Sequence, residues 1–242
     1  MLDDCIFTKE PETIGVAPSS LARPGGLYIT NRAVEFCGFT AGDRVADIGC
    51  GSCGTLEYLL TTYGICGFGL DPAPMILAVG AQGMQRPSVV RGIAEALPFK
   101  NSLLDGLFCE CVLSLVDDLD AALQEFSRVL KKGGHLIISD LYYRTSTDGS
   151  RLDRPYGQSN IQPAISKRRM KGLLEAHGFN SLLWEDHTRA LKELVVQLIF
   201  AGQSPEDFWK QSCRDCAPSP PGRSIISAKP GYCLVIARCH TS

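Results

Sequence analysis

Val45-Ala-Asp-Ile-Gly-Cys-Gly-Ser-Cys-Gly54 reads as a short buried strand running directly into a glycine-rich turn. Gly49, Gly51 and Gly54 stand in G-x-G-x-x-G spacing. Glycines here let backbone approach a ligand closely at the carboxyl end of a strand, because no Cβ intervenes. The spacing alone is a weak signal, shared with dinucleotide-binding enzymes.

Outward from this turn the chain alternates strand and helix. Thr55–Tyr63 reads as a helix, and Ile65–Leu70 as a second strand closing on Asp71. Upstream, Tyr28–Gly38 reads as a helix with Ala33, Val34, Phe36 and Cys37 on its buried side. Downstream come a helix over Ala73–Gln82, a strand at Ser88–Arg91 and a loop through Pro98. Gly106–Val112 reads as an apolar strand and Leu119–Leu130 as a helix that Lys132-Gly133-Gly134 should terminate. His135–Asp140 is then another strand. This rhythm means βαβ units, right-handed crossovers and a parallel sheet with helices on both faces.

After Asp140 the pattern changes. Residues 142–161 are polar and loop-like, followed by a helix over Ala164–His177, a strand at Ser181–Glu185 and helices at Leu191–Ala201 and Pro205–Gln211. The final strand, Tyr232–Arg238, has no long helix between it and the preceding one to cross the sheet. That arrangement predicts an antiparallel closing hairpin. Residues 1–25 read as a turn-rich extension, and 26–242 as a single α/β domain. Segments around 142–161 and 188–230 should cover the open end of the site.

Composition agrees with one elaborated domain of 242 residues, 45% hydrophobic and 21% charged. Lys and Arg (24) nearly balance Asp and Glu (26), for a net charge of −2, and the one short basic cluster is Lys167-Arg168-Arg169. A nucleic-acid partner would favour a larger basic face, so the expected partner is a small molecule. No apolar run approaches the ~20 residues that cross a bilayer, and the N-terminus lacks the pattern of a signal peptide. A cytoplasmic protein without membrane partner is expected, with its 11 cysteines as thiols. Oligomeric state is not readable from the sequence.

Asp47 narrows the ligand. A carboxylate in the turn would repel a pyrophosphate, whereas S-adenosyl-L-methionine has no phosphate and carries a cationic sulfonium and ammonium. Asp71, 20 residues past Gly51, is placed to accept hydrogen bonds from two ribose hydroxyls, as it would be for a nicotinamide cofactor too.

These stretches, with Gly69-Leu-Asp71, Ala94-Glu-Ala-Leu-Pro-Phe99 and Glu125-Phe-Ser-Arg-Val-Leu-Lys-Lys-Gly-Gly134, resemble class I S-adenosylmethionine-dependent methyltransferases, closest to the ubiquinone/menaquinone-biosynthesis type. The likeness runs from about Gly25 to Arg238. It implies a Rossmann-like, seven-stranded, mostly parallel sheet with an antiparallel last strand. It also implies that Asp47, Gly49 and Gly51 hold the methionine part of the cofactor and that Asp71 binds the ribose. By the same likeness Pro72 and Met75 lie beside the adenine, Ala94 and Glu95 at its edge, and Glu110 to Leu113 lead into the site. The chain departs from the group at Ile93, where an acid often accepts from the adenine amino group, and at Ser114 and Leu115, where histidines are common.

Methyl transfer from a sulfonium needs alignment and exclusion of water more than a strong base. Where the acceptor hydroxyl is not acidic a base is required, and Asp140, His187, Tyr142 and Tyr143 are candidates near the open end of the sheet. Tyr28 and Thr30 would cap the cofactor, or Tyr28 would pack on the sheet. Cys213-Arg-Asp-Cys216 has C-x-x-C spacing, open to ordinary thiols, a metal or redox role, or a soft metalloid acceptor; no metal site is assigned from spacing. The expected activity is methyl transfer to a small molecule. The rivals are a nicotinamide-dependent oxidoreductase and a cofactor-binding sensor or partner module on a methyltransferase fold.

Overall fold

The computed structural model describes residues 23–73, 87–144, 165–202, 204 and 230–240. Five helices lie among them: α1 (Gly26–Cys37), α2 (Gly54–Tyr63), α3 (Leu119–Val129), α4 (Lys167–Ala176) and α5 (Thr188–Phe200). The strands are β1 (Arg44–Ile48), β2 (Cys66–Asp71), β3 (Ser88–Arg91), β4 (Leu104–Glu110), β5 (Leu130–Tyr143), β6 (Ile165–Ser166), β7 (Phe179–Asp186) and β8 (Gly231–Cys239). The helices expected over 73–82 and 205–211, together with Met75, Cys213 and Cys216, lie outside the described residues.

The strands form one sheet in the order β3-β2-β1-β4-β5-β8-β7, with the two-residue β6 pairing to β5 beyond the seven strands expected. All pairs are parallel except those of β8, which runs antiparallel to both β5 and β7. The closing hairpin of the sequence reading is therefore present. Its last strand inserts between its partner and the parallel body instead of sitting at the edge.

Side-chain alternation sends each strand into two cores. Leu107 and Cys109 of β4, Leu136 and Ile138 of β5 and Val235 of β8 pack on one face, with Phe126 of α3 and Leu174 of α4. Phe108, Ile137, Tyr232 and Ile236 pack on the other, with Ile29 and Val34 of α1 and Leu59 of α2. The period of two is what puts both faces under helices. On α3, Leu119, Ala122, Leu123, Phe126 and Val129 are buried at helical spacing, and Asp118 caps the helix by accepting from the Ala121 N–H at 3.0 Å. Burying each large apolar side chain contributes about 1.5–3 kcal/mol.

The glycine pair after α3 does not end it. The helix stops at Val129, and Leu130 is already extended (φ −73°, ψ 142°) and paired with Leu104. Gly133 and Gly134 instead occupy an irregularity in β5, before pairing resumes at His135 opposite Gly106. A Cβ on Gly134 would stand 2.9 Å from the Lys131 carbonyl oxygen and 3.2 Å from those of Leu104 and Asp105. Close backbone packing, rather than a helix cap, demands glycine there.

Two of the motif stretches meet through one clamp. Glu125 Oε2 accepts from the Leu97 N–H at 2.7 Å, while Arg128 donates to the carbonyls of Leu97 (2.9 Å) and Phe99 (2.8 Å) and pairs with Glu125. The Leu97-Pro98-Phe99 loop is thus tied to α3. This explains in physical terms why the two stretches occur together.

Candidate functional site

Strand order reverses between β1 and β4, and in open α/β sheets the crevice at the carboxyl ends beside such a point is where ligands bind. The ends of β1, β2 and β4 deliver Asp47, Asp71 and Glu110 to this place. Gly49 follows β1 with φ +72°, and a Cβ there would lie 2.2 Å from Cγ2 of Val112. Gly51, with φ +50°, has nothing within 4 Å of where a Cβ would point. The first glycine is therefore fixed by packing and the second opens onto free space.

Asp71 holds the turn in place. Its Oδ2 accepts from the Gly51 N–H at 3.0 Å and its Oδ1 from the Ala73 N–H at 2.8 Å. The Gly49 N–H donates to the Leu70 carbonyl at 2.7 Å, so loop and β2 are pinned together.

Behind the turn lies a buried cluster. Glu110 accepts from the Thr30 hydroxyl at 3.1 Å and from the Thr55 hydroxyl at 3.1 Å. Arg23 sits against the same carboxylate, with Nη2 3.0 Å from Oε2, and donates to Thr55 at 2.8 Å and also to Thr30. Asp47, Thr30 and Glu110 are all buried. Burial pushes the Asp47 carboxyl well above its ordinary value, Glu110 and Asp71 push the same way, and Arg23 opposes them. A cation placed beside Asp47 would offset the cost of burying its charge next to two other carboxylates. Arg23 and Thr55 were not expected from the sequence. Arg23 stands inside the stretch read as an extension, and no spacing links either residue to Glu110.

The residues expected at the adenine edge fall nearby, since the Gly92 N–H donates to the Asp71 carbonyl at 3.2 Å. Ala94 is buried in the core and Ile93 is exposed, an apolar side chain where the related group has an acid. Glu95 turns the other way: Oε1 accepts from the N–H groups of Asp117 (2.8 Å) and Asp118 (3.2 Å). The Pro72 carbonyl accepts from Arg91 Nε at 3.0 Å.

The two expected bases differ in their commitments. Asp140 is buried; Oδ2 accepts from the Ser114 N–H (3.1 Å), and Oδ1 from the Ser114 hydroxyl (3.1 Å) and its neighbour's Leu141 N–H (2.7 Å). Burial pushes its carboxyl up, opposed by those hydrogen bonds. His187 precedes α5, with Nε2 3.1 Å from Glu185 Oε2, and Glu185 is in turn held by Arg32 at 2.7 Å. Tyr28 meets the His187 ring edge-on, centroids 6.3 Å apart, and is 68% exposed, so it does not pack on the sheet. Tyr142 donates to Asp186 at 2.9 Å, which commits its hydroxyl elsewhere. Among the described residues no group of three or more His, Cys, Asp or Glu could hold a metal ion, and no helix is long and apolar enough to cross a membrane.

Residues 46–138 match a protein-family model described as a methyltransferase domain. The chain is 27% identical over 182 residues to the O-methyltransferase resE of Aspergillus sclerotiorum, covering 72% of this chain and 66% of that protein. It is 29% identical over 128 residues to the ubiquinone/menaquinone biosynthesis C-methyltransferase UbiE of Campylobacter jejuni, covering 50% and 54% respectively. Among solved structures, the 4+2 cyclase SpnF matches with a TM-score of 0.69 at 20% identity, over 96% of this chain and 88% of that one. Haemonchus contortus phosphoethanolamine N-methyltransferase 2, solved with S-adenosyl-L-methionine, matches at 0.68 and 18% identity, over 91% and 54%. At such identities the structural likeness is one of fold, and the cyclase shows that one fold hosts more than one reaction. The chain spans 66% of the length of resE and 54% of that of UbiE, less than two thirds of either.

Proposed function

We propose that this chain, a class I methyltransferase fold with a methyltransferase domain over residues 46–138, transfers a methyl group from S-adenosyl-L-methionine to a small-molecule acceptor. The observation that carries the reading is the acid content of the turn: Asp71 binds the Gly51 N–H beside its open side, with Asp47 and the Arg23-paired Glu110 buried behind it. It fits a ligand that brings an ammonium, a sulfonium and a ribose diol, and it disfavours a pyrophosphate.

Each residue has a distinct part. Asp47 attracts the ammonium end, and Gly49 and Gly51 let the backbone lie against the methionine chain. Arg23 balances the charge of Glu110 behind the turn. Asp71 receives the ribose hydroxyls, and Pro72, Ile93 and Ala94 offer an apolar edge to the base. When bound, S-adenosyl-L-methionine supplies a methyl group already activated on a positive sulfur. The protein's remaining task is to orient the acceptor in line and keep water out.

His187 is the better placed proton acceptor for a hydroxyl substrate. Glu185 orients its ring and Tyr28 shields one side, whereas both oxygens of Asp140 already hold the Leu113–Leu115 turn and β5 in place. The segments expected to cover the acceptor, 142–161 and 188–230, lie for the most part outside the described residues, and no nucleic acid takes part, in keeping with the near-neutral charge.

The test is calorimetric titration of the reduced protein with S-adenosyl-L-methionine, S-adenosylhomocysteine and NAD, repeated on Asp71→Ala. Binding of both adenosyl ligands but not NAD, weakened by on the order of tenfold or more in the variant, is the expected result. Binding of NAD alone would overturn the proposal.

A further inference from the structure

Cys50-Gly51-Ser52-Cys53 is a second C-x-x-C, and it lies inside the glycine turn itself. The Cys53 N–H donates to the Cys50 carbonyl at 2.7 Å, closing a four-residue turn. Such turns hold their end Cα atoms within about 7 Å, which overlaps the range that disulfides span. The sulfurs face each other at 3.7 Å, with the Cys53 thiol donating towards Cys50. Only a modest contraction, to about 2.05 Å, separates this pair from a covalent bond.

We propose that Cys50 and Cys53 form a reversible disulfide that controls the shape of the ligand-binding turn. The surroundings decide which sulfur moves. Cys53 is fully buried at the start of α2, packed with Leu56 and Val89, so it is the fixed partner. Cys50 is 7% exposed and lies against Gly69, where a Cβ would come within 2.8 Å of its Sγ. The Cys50 peptide continues into Gly51, whose N–H is bound to Asp71. Drawing Cys50 towards Cys53 therefore strains the link between the turn and Asp71.

The chemistry closes with a peroxide as oxidant. The Cys50 sulfur, once deprotonated, attacks one peroxide oxygen; the O–O bond breaks, leaving a sulfenic acid, and the other oxygen departs as water after taking a proton. The Cys53 sulfur then attacks the Cys50 sulfur, the S–O bond breaks and a second water leaves. Two thiols lose two electrons and two protons, and the peroxide is reduced to two waters. The hydrogen bond from Cys53, then burial and the nearby carboxylates Asp47 and Asp71, push the Cys50 thiol well up, which slows its attack on peroxide. Gly51, between the two cysteines, has nothing within 4 Å of where a Cβ would point, which gives a small oxidant room to approach the turn. A ligand in that space should shield the pair.

The effect on ligand binding rests on the proposed cofactor; the bond itself does not. The experiment treats the full reduced chain with hydrogen peroxide, blocks free thiols and maps the tryptic peptide 45–91, whose cysteines are Cys50, Cys53 and Cys66. The expected peptide carries the blocking group on Cys66 only, and dithiothreitol restores all three sites. Titration with S-adenosylhomocysteine should show affinity lower by on the order of tenfold in the oxidised form, recovered on reduction. Cys50 and Cys53 both blocked under conditions that oxidise exposed Cys66 would sink the proposal. So would a bond that forms without changing affinity. A reduced protein that binds no adenosyl ligand would fail the functional reading instead, leaving the peptide map to decide this one.

Discussion

Arg23 Nη2 and Glu110 Oε2 meet at 3.0 Å with their side chains 11% and 3% exposed, an ion pair sealed behind the glycine turn. Its geometry is completed by two threonines, Thr30 from α1 and Thr55 from α2, which donate to the two carboxylate oxygens. Such a cluster favours one arrangement of three elements more than it adds raw stability.

Removing the cation should therefore be costly. Arg23→Met leaves Glu110 and Asp47 buried without their counter-charge, and the expected loss is about 3 kcal/mol of folding free energy. Urea denaturation of both proteins at neutral pH measures it. A loss under about 0.5 kcal/mol would mean that the pair is effectively solvated.

Asp47 predicts a trade between stability and binding. Its folded-state carboxyl is held above the ordinary value of 3.8, chiefly by burial, so the unfolded chain releases the proton first as pH rises. The resulting penalty is absent below pH 3.8 and grows as pH climbs towards the folded-state value. Asp47→Asn should accordingly raise stability by about 1–2 kcal/mol at neutral pH, with the gain fading below about pH 4. Its affinity for the adenosyl ligand should fall by on the order of tenfold or more. Denaturation curves across pH, paired with calorimetry, check both halves; a gain that persists in acid would contradict the linkage.

The two glycines of the turn should fail differently. Gly49→Ala must push Val112 aside and hold a left-handed φ, for a combined cost of about 2–4 kcal/mol. Gly51→Ala meets no atom and should lose only about 1 kcal/mol, yet its methyl group intrudes on the ligand space. Thermal melts separate the first effect and ligand titration the second. Equal melting temperatures for the two variants would refute the assignment.

For the proposed base, His187→Gln should lower kcat by on the order of 10²-fold on a hydroxyl acceptor while leaving S-adenosylhomocysteine affinity unchanged. Asp140→Asn, by contrast, keeps a side chain that can accept from Ser114 and should affect stability more than rate. A variant pair with those effects exchanged would move the base to Asp140.

Much of this architecture is legible in the chain because the decisive residues sit at strand ends. Asp47, Gly49, Gly51, Asp71 and Glu110 each follow a short apolar run, so alternation and turn chemistry locate them without a partner. Arg23 and Thr55 escape that logic: their meaning comes from contact with Glu110, far along the sequence, and neither sits in a periodic pattern. Gly133 and Gly134 mislead because a glycine pair after a helix serves equally to cap it or to let two backbones touch. Cys50 and Cys53 are hidden for another reason. The glycines around them already explain the turn, and only the distance between their sulfurs gives the pair a meaning of its own.

The position of β8 bears on how the protein is made. Residues 231–239 are near the end of the sequence, yet they lie inside the sheet, joining β5 on one side and β7 on the other. During synthesis the parallel half can assemble as it leaves the ribosome, while β5 waits with one edge bare and β7 has no neighbour in the sheet. The apolar side chains of β8, Tyr232 through Ala237, then complete both cores at once. A nascent chain stalled before Gly231 presents two open edges to its neighbours on the polysome, so this segment acts as the keystone against aggregation.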